Sequence, residues 1–129
     1  MNNLEEIKKL CRDEIKDDKF FLYSGDDETS YEFLMRGGHG TISVSSNIVP
    51  KLISEMTRLA LEKNEEGKKI DEKITALNKI LFVESNPIPV KYALFLMGFI
   101  KLGIRLPLTI LDSKFHESLK KELKNLDLI

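Results

Sequence analysis

The hydrophobic and polar positions in the first half of the chain change their period several times. Apolar residues recur at helical spacing over 4–16, which predicts an amphipathic helix. Residues 19–24 hold a continuous apolar run, "FFLY", which is typical of a strand buried on both faces of a parallel sheet. A second helix is predicted over about 28–36 and a second strand over 40–44. This order of strand, helix and strand is typical of a parallel α/β protein.

The second half of the chain shows helical periodicity only. Asn47 is predicted to cap a long helix that has Pro50 in its first turn and reaches about Lys63. The polar sequence "NEEGKK" separates this helix from the rest of the chain. Further helices are predicted over 66–83, 89–102 and 113–126. We therefore divide the chain into an α/β segment, residues 1–63, and a helical segment, residues 64–129.

Two strands are too few for a parallel sheet that is stable in isolation. Both predicted strands would leave apolar edges open, and open edges pair readily with other strands. The pattern therefore predicts that these strands belong to a larger sheet. The remaining strands would come from other chains or from sequence that is not present here.

Composition narrows the classes of function. The 129 residues are 42% hydrophobic and 32% charged, which is typical of a globular protein. The net charge is −1 and no basic stripe is visible, so a nucleic-acid partner is not expected. The longest apolar run, 92–100, is much shorter than the about 20 residues that cross a bilayer, so no membrane partner is expected. A helix that is apolar on nearly every side is instead predicted to be buried. Cys11 is the single cysteine and the amino terminus lacks an apolar signal segment, so we expect a cytoplasmic protein.

Several residues of chemically active types are interpreted as structural. His39 lies in "GGHG", after a helix and before a strand, which is the end opposite to where parallel sheets bind ligands. Gly37 and Gly38 are predicted to end the preceding helix and not to bind phosphate. Lys91 borders an apolar helix and is predicted to lay its stem along it. No metal site is expected, because His39 and His116 belong to no ligand motif.

The sequence "SGDD" is the stronger candidate for a ligand site, because it follows a predicted strand, at the end where barrel enzymes bind substrates. Gly25 has no side chain, so a ligand can approach the backbone there. Asp26 and Asp27 are candidates for an acid–base pair. Adjacent acids at the start of a helix more often cap that helix, and this is the role we predict for them.

Four segments together resemble a known family. "LYSGDD", "GGHGTISVSSNIVPKL", "LFVESNPIPVKYAL" and "IRLPLT" occur in an order and spacing that closely resemble the carboxyl-terminal part of the dihydrodipicolinate synthases, which are class I pyruvate-dependent aldolases. The resemblance covers essentially the whole chain. It implies an α/β fold in which the chain forms the last two strands of a (β/α)8 TIM barrel with their helices, followed by a carboxyl-terminal helical subdomain.

The resemblance also implies an activity. The family condenses pyruvate with aspartate semialdehyde, a lyase reaction in diaminopimelate and lysine biosynthesis, through a Schiff base on a lysine. No cofactor is expected. Two positions of this chain match the family's contacts with pyruvate, namely Gly25 in "SGDD" and Ile42 in "TISV". Ile42 would contribute through its backbone carbonyl.

The family's Schiff-base lysine precedes the segment with which this chain begins, so we assign no catalytic residue to the chain. We expect it to be inactive by itself and to act on pyruvate and aspartate semialdehyde only when completed by the missing half. Its partner would be a complementary half-barrel or further copies in a homo-oligomer. Two alternatives remain open. The chain is one subunit of a two-piece synthase, or it is a non-enzymatic interaction module.

Overall fold

In the computed structural model of this chain, the structure describes residues 21–129 together with Glu6 and Lys9. Both of these residues are helical, and the rest of the helix predicted over 4–16 lies outside the described residues, as do residues 19 and 20. The elements from residue 21 onward are β1 (Tyr23–Ser24), α1 (Ser30–Met35), β2 (Gly40–Thr41), α2 (Pro50–Leu61), α3 (Gly67–Ile80), α4 (Ile88–Leu96) and α5 (His116–Asn125). Two 3-10 turns, Ser45–Asn47 and Ser113–Phe115, precede α2 and α5.

The two strands pair in parallel, as the sequence pattern predicts. Tyr23 lies opposite Gly40, and Ser24 lies opposite Thr41. Backbone hydrogen bonds continue the pairing on both sides, from His39 N–H to the Leu22 carbonyl and from Ile42 N–H to the Ser24 carbonyl, each at 2.8 Å. The strands are shorter than predicted, with two residues each. The predicted parallel α/β unit is therefore present, with a smaller sheet than the predicted ranges gave.

The helix between the strands ends where glycine is predicted to end it. Gly37 has a φ of 92°, in the left-handed region that favours glycine. The start of α1 contradicts the prediction, because Thr29 occupies the N-cap position and no side chain caps the helix. Asp26 instead accepts a hydrogen bond from the Thr29 hydroxyl at 2.5 Å. Asp27 is buried and binds the loop after β2, so neither acid caps α1.

Pro50 occupies the first turn of α2, as predicted, because its fixed φ suits a position where no backbone donor is needed. The predicted cap is wrong, since Val49 precedes the helix and Asn47 lies in the 3-10 turn. The Asn47 side chain donates to the Val44 carbonyl at 3.0 Å, which satisfies it within that turn.

The apolar helix α4 is shorter and less enclosed than predicted. It ends at Leu96 and not near residue 102, because Gly98 adopts a φ of 78° and Phe99 N–H donates to the Leu94 carbonyl at 3.0 Å. Together with the bond from Gly98 N–H to the Phe95 carbonyl, also at 3.0 Å, this bond forms a Schellman cap. Ala93 is fully buried and Leu94 is half-buried, whereas Phe99 is 71% exposed. The continuous apolar run therefore does not correspond to a helix buried on all sides.

One cluster of buried apolar side chains connects the five helices α1 to α5. It comprises Tyr31, Leu34, Ile48, Val49, Ile53, Met56, Ala60, Ile74, Leu77, Leu81, Ile88, Val90, Ala93, Leu111, Leu119 and Leu123. The cluster includes residues on both sides of position 64, so the division into two segments there stays a prediction. Within residues 21–129, no helix combines the length and apolar character that a membrane span needs.

Candidate functional site

The two predicted ligand-contacting residues lie together at the carboxyl ends of the paired strands. Ser24 and Thr41 are opposite each other, so Gly25 and Ile42 are the next residues along each strand. The Ile42 N–H donates to the Ser24 carbonyl at 2.8 Å, which keeps the register at this end of the sheet. The carboxyl end of a parallel sheet is where α/β proteins bind ligands. That these two residues contact a ligand stays a prediction.

The surface around these strand ends is open and apolar. A Cβ added to Gly25 would meet no atom within 4 Å. Ile42 is 73% exposed, and Tyr23 in β1 is more than half exposed. Among the described residues, no hydrogen-bond donor reaches the Ile42 carbonyl oxygen. Exposed apolar groups beside a free backbone acceptor indicate a surface that another part of a protein or a ligand covers.

A cluster of three buried polar residues, Asp27, Ser45 and Asn78, lies directly behind the strand ends, and we call it the polar triad. Asp27 Oδ2 accepts hydrogen bonds from the backbone N–H groups of Val44 at 2.8 Å and of Ser45 at 2.9 Å. The Ser45 hydroxyl donates to Asn78 Oδ1 at 2.7 Å, and Asn78 Nδ2 donates to the Asp27 carbonyl at 3.3 Å. The triad thus joins the loop after β1, the loop after β2 and helix α3.

Sequence analysis missed Ser45 and Asn78. A signal for Asn78 was present, because positions 74, 77, 78 and 81 share one helical face and the other three are fully buried and apolar. A polar residue in such a row needs a buried partner, since an unsatisfied amide in an apolar interior is costly.

Asp27 keeps one unsatisfied atom, because its Oδ1 is buried with no hydrogen-bond partner among the described residues.

His39 lies at the opposite, amino-terminal end of β2, which agrees with its structural interpretation. Its Nδ1 accepts a hydrogen bond from the Leu22 N–H at 2.9 Å. The ring packs edge-on against Phe21, with ring centroids 5.2 Å apart. The imidazole therefore orders the start of the sheet, away from Gly25 and Ile42.

The two loops that follow the strands contain no lysine that could act as a nucleophile. Residues 25–29 and 42–49 contain no lysine. Lys63, the next lysine after Lys51, is engaged by the carbonyl oxygens of Leu34 and Met35, each at 2.8 Å. In the part of the chain that the structure describes, no group of three or more His, Cys, Asp or Glu side chains is placed to hold a metal ion.

The fold places the chain in a class, the parallel α/β proteins, in which ligands bind at the carboxyl ends of the strands. The profile of the Dihydrodipicolinate synthetase family matches residues 1–126, and the chain belongs to that family. The 4-hydroxy-tetrahydrodipicolinate synthase of Legionella pneumophila strain Corby is 45% identical over 130 residues, which is 100% of this chain and 43% of that protein. The chain therefore spans less than half the length of this relative.

Solved structures give the same result. The dihydrodipicolinate synthase of Acinetobacter baumannii, solved in complex with pyruvate, is 50% identical with a TM-score of 0.84, over 86% of this chain and 38% of the other. The dihydrodipicolinate synthase of Thermotoga maritima is 38% identical with a TM-score of 0.92, over 99% of this chain and 43% of the other. The strand–helix–strand unit and the helices that follow thus share the backbone course of these enzymes.

Proposed function

We propose that the chain is the carboxyl-terminal part of a 4-hydroxy-tetrahydrodipicolinate synthase and that it forms one wall of the pyruvate site. The observation that carries the proposal is the position of Gly25 beside Ile42 at the open carboxyl ends of two parallel strands. Support comes from family membership and from the similar Acinetobacter baumannii enzyme, which was solved with pyruvate bound. The reaction would be the condensation of pyruvate with aspartate semialdehyde, toward diaminopimelate and lysine.

The role of this wall is to position the substrate. At Gly25 the absence of a side chain leaves room for pyruvate against the backbone, and the free Ile42 carbonyl gives a fixed polar contact. A Schiff base needs a desolvated amine, and the loops at these strand ends contain no lysine. The nucleophilic lysine would therefore come from the other part of the enzyme, across the site from Gly25 and Ile42.

The partner would complete a (β/α)8 barrel in which β1 and β2 are the last two strands. Two strands of two residues each leave most backbone groups of this sheet without a strand partner. The exposed rings of Phe21 and Tyr23 and the exposed Ile42 side chain would be covered in that assembly. A complementary half-barrel, in a two-piece synthase or in one longer chain, satisfies these groups, and copies of the completed unit would form the homo-oligomer.

Trapping with borohydride tests the proposal. The chain is incubated with pyruvate and sodium borohydride, alone and together with the complementary amino-terminal part of the Thermotoga maritima relative, and each polypeptide is then analysed by mass spectrometry. We expect a reduced pyruvate adduct only in the mixture, and only on the added part. An adduct on a lysine of this chain would contradict the proposed division of roles. Association without any adduct would instead favour a non-enzymatic interaction module.

A further inference from the structure

Asn78 belongs to α3, outside the strand–helix–strand unit, yet its side chain binds both loops that follow the strands. Its Nδ2 donates to the Asp27 carbonyl, and its Oδ1 accepts from the Ser45 hydroxyl. The residue is 2% exposed, so both bonds are shielded from water. One planar amide group therefore fixes two loops relative to a single helix.

Packing alone does not call for an amide at this position. The same face of α3 presents Ile74, Leu77 and Leu81, all fully buried in the apolar cluster. A leucine at position 78 would continue this row, whereas an asparagine must have buried partners to offset its desolvation. Both partners lie in the loops that follow the strands, which indicates that the amide acts on those loops.

The two bonds act close to the proposed pyruvate wall. Asp27 is two residues beyond Gly25, and Ser45 is three residues beyond Ile42. Asp27 also accepts hydrogen bonds from the Val44 and Ser45 N–H groups, which connects the two loops directly. We propose that Asn78 is a positioning residue that sets the distance between Gly25 and the Ile42 carbonyl. The identity of the ligand between them rests on the proposed function.

Amide hydrogen exchange of the full chain tests the positioning. Asn78→Leu keeps an apolar volume in the helix and removes both hydrogen bonds. We expect the amides of Val44 and Ser45 to exchange about tenfold faster, the ratio that one buried neutral hydrogen bond supports. The amides of α5 should keep their rates. An equal acceleration of all amides would show a general loss of stability and would overturn the inference.

Thr75→Val is the matched control. The Thr75 hydroxyl donates at 2.8 Å to the Asp71 carbonyl of the same helix, so this bond involves neither loop. This variant also loses one side-chain hydrogen bond of α3, and Val44 and Ser45 should exchange as in the unmodified chain. If Asn78→Leu does not fold, Ser45→Ala provides the same test, because it removes only the hydroxyl that Asn78 accepts from. Unchanged exchange in Ser45→Ala would then overturn the inference.

Kinetics of a hybrid enzyme test the consequence for the ligand. The hybrid joins this chain to the amino-terminal part of the Thermotoga maritima relative. With Asn78→Leu, we expect the KM for pyruvate to rise about fivefold to tenfold while kcat changes by less than about twofold, since the lysine chemistry is on the other part. An unchanged KM in an active hybrid would overturn the inference. An unmutated hybrid that does not use pyruvate would contradict the proposed function, and the exchange rates would still decide whether Asn78 positions the loops.

Discussion

The ammonium group of Lys63 lies 2.8 Å from the carbonyl oxygen of Leu34, so a side chain just beyond α2 satisfies a carbonyl in the last turn of α1. A second bond of the same length runs to the Met35 carbonyl. The last carbonyls of a helix have no donor within the helix and carry partial negative charge, so a cation there is favourable. Lys63 itself has a φ of 58°, a left-handed conformation that costs energy for a residue with a side chain.

Two substitutions at Lys63 separate these effects. Lys63→Met removes the charge and keeps the backbone strain, and we expect it to lower the free energy of unfolding by about 1–2 kcal/mol. Lys63→Gly also removes the charge but relieves the strain, so it should be more stable than Lys63→Met by about 1 kcal/mol. Urea denaturation of both variants measures the difference. Equal stability of the two would contradict the left-handed conformation.

Gly98 is expected to be needed for its backbone alone. Its φ is 78°, and a Cβ there would meet no atom within 4 Å. Gly98→Ala should therefore lower the free energy of unfolding by about 1 kcal/mol without any steric clash. Gly103→Ala is the matched control, because Gly103 is equally open and lies outside the left-handed region. Thermal denaturation should show a lower Tm for Gly98→Ala only. A lower Tm for both would show that the segment 97–111 is sensitive to any added side chain, and not to the φ of Gly98 in particular.

Asp71 gives a prediction about pH. Burial raises the pKa of its carboxyl group, and the nearby charges of Glu72 and Glu32 raise it further, while Lys68 opposes them. Because the folded state holds the proton more tightly than the unfolded chain, ionisation of Asp71 costs stability as the pH rises from near its ordinary pKa of 3.8. Asp71→Asn removes this cost. We expect its Tm to exceed that of the unmodified chain at pH 7, with little or no excess at pH 3.

Glu55 is the control for Asp71, because the pKa of its carboxyl group is shifted in the opposite direction. A hydrogen bond from Arg58 lowers the pKa of this exposed carboxyl group, so its ionised form favours the folded state. Glu55→Gln should therefore lose stability at pH 7 and not gain it. Melting curves of both variants at the two pH values make the comparison. A similar response of Glu55→Gln and Asp71→Asn would show that removing any acidic group is what matters.

Gly25 and Ile42 give opposite predictions for side-chain changes. Gly25→Val fills the open space over the backbone, so it should leave the stability of the chain within about 0.5 kcal/mol and weaken pyruvate binding in the hybrid enzyme at least about tenfold. Ile42→Val changes only a side chain that is 73% exposed, and the proposed contact is the backbone carbonyl. Pyruvate binding should therefore be unchanged in Ile42→Val. Calorimetric titration measures the affinity of both variants for pyruvate. Normal binding by Gly25→Val would show that Gly25 does not line the pyruvate site.

The sequence predicts those parts of the fold that depend on near neighbours. The parallel pair, its short helix and the turn at Gly37 follow from apolar runs and from the conformation that glycine allows. The end of α4 was missed because the apolar run continues past Gly98 and hides the local stop. Apolar composition indicated burial there, yet Phe99 is largely exposed.

The pattern of α3 signals a buried Asn78, but its partners in the polar triad could not be predicted because they are distant in sequence. Asn78 binds residues 33 and 51 positions away, and Asp27 binds N–H groups 17 and 18 positions away. A capping role for Asp27 was a reasonable prediction from its position before a helix. The loop after β2 instead covers the Asp27 carboxylate. This arrangement depends on how α3 packs against the strand–helix–strand unit.

The buried cluster that joins the five helices includes no side chain from β1 or β2. The apolar contacts of this cluster are therefore made without the strands, and the sheet leaves Tyr23 and the adjoining Ile42 exposed. A partner can therefore cover that surface without displacing a side chain of the buried cluster. In an assembly built from separate pieces, the helices α1 to α5 would keep their mutual packing, and the free energy of association would depend on the surfaces that meet.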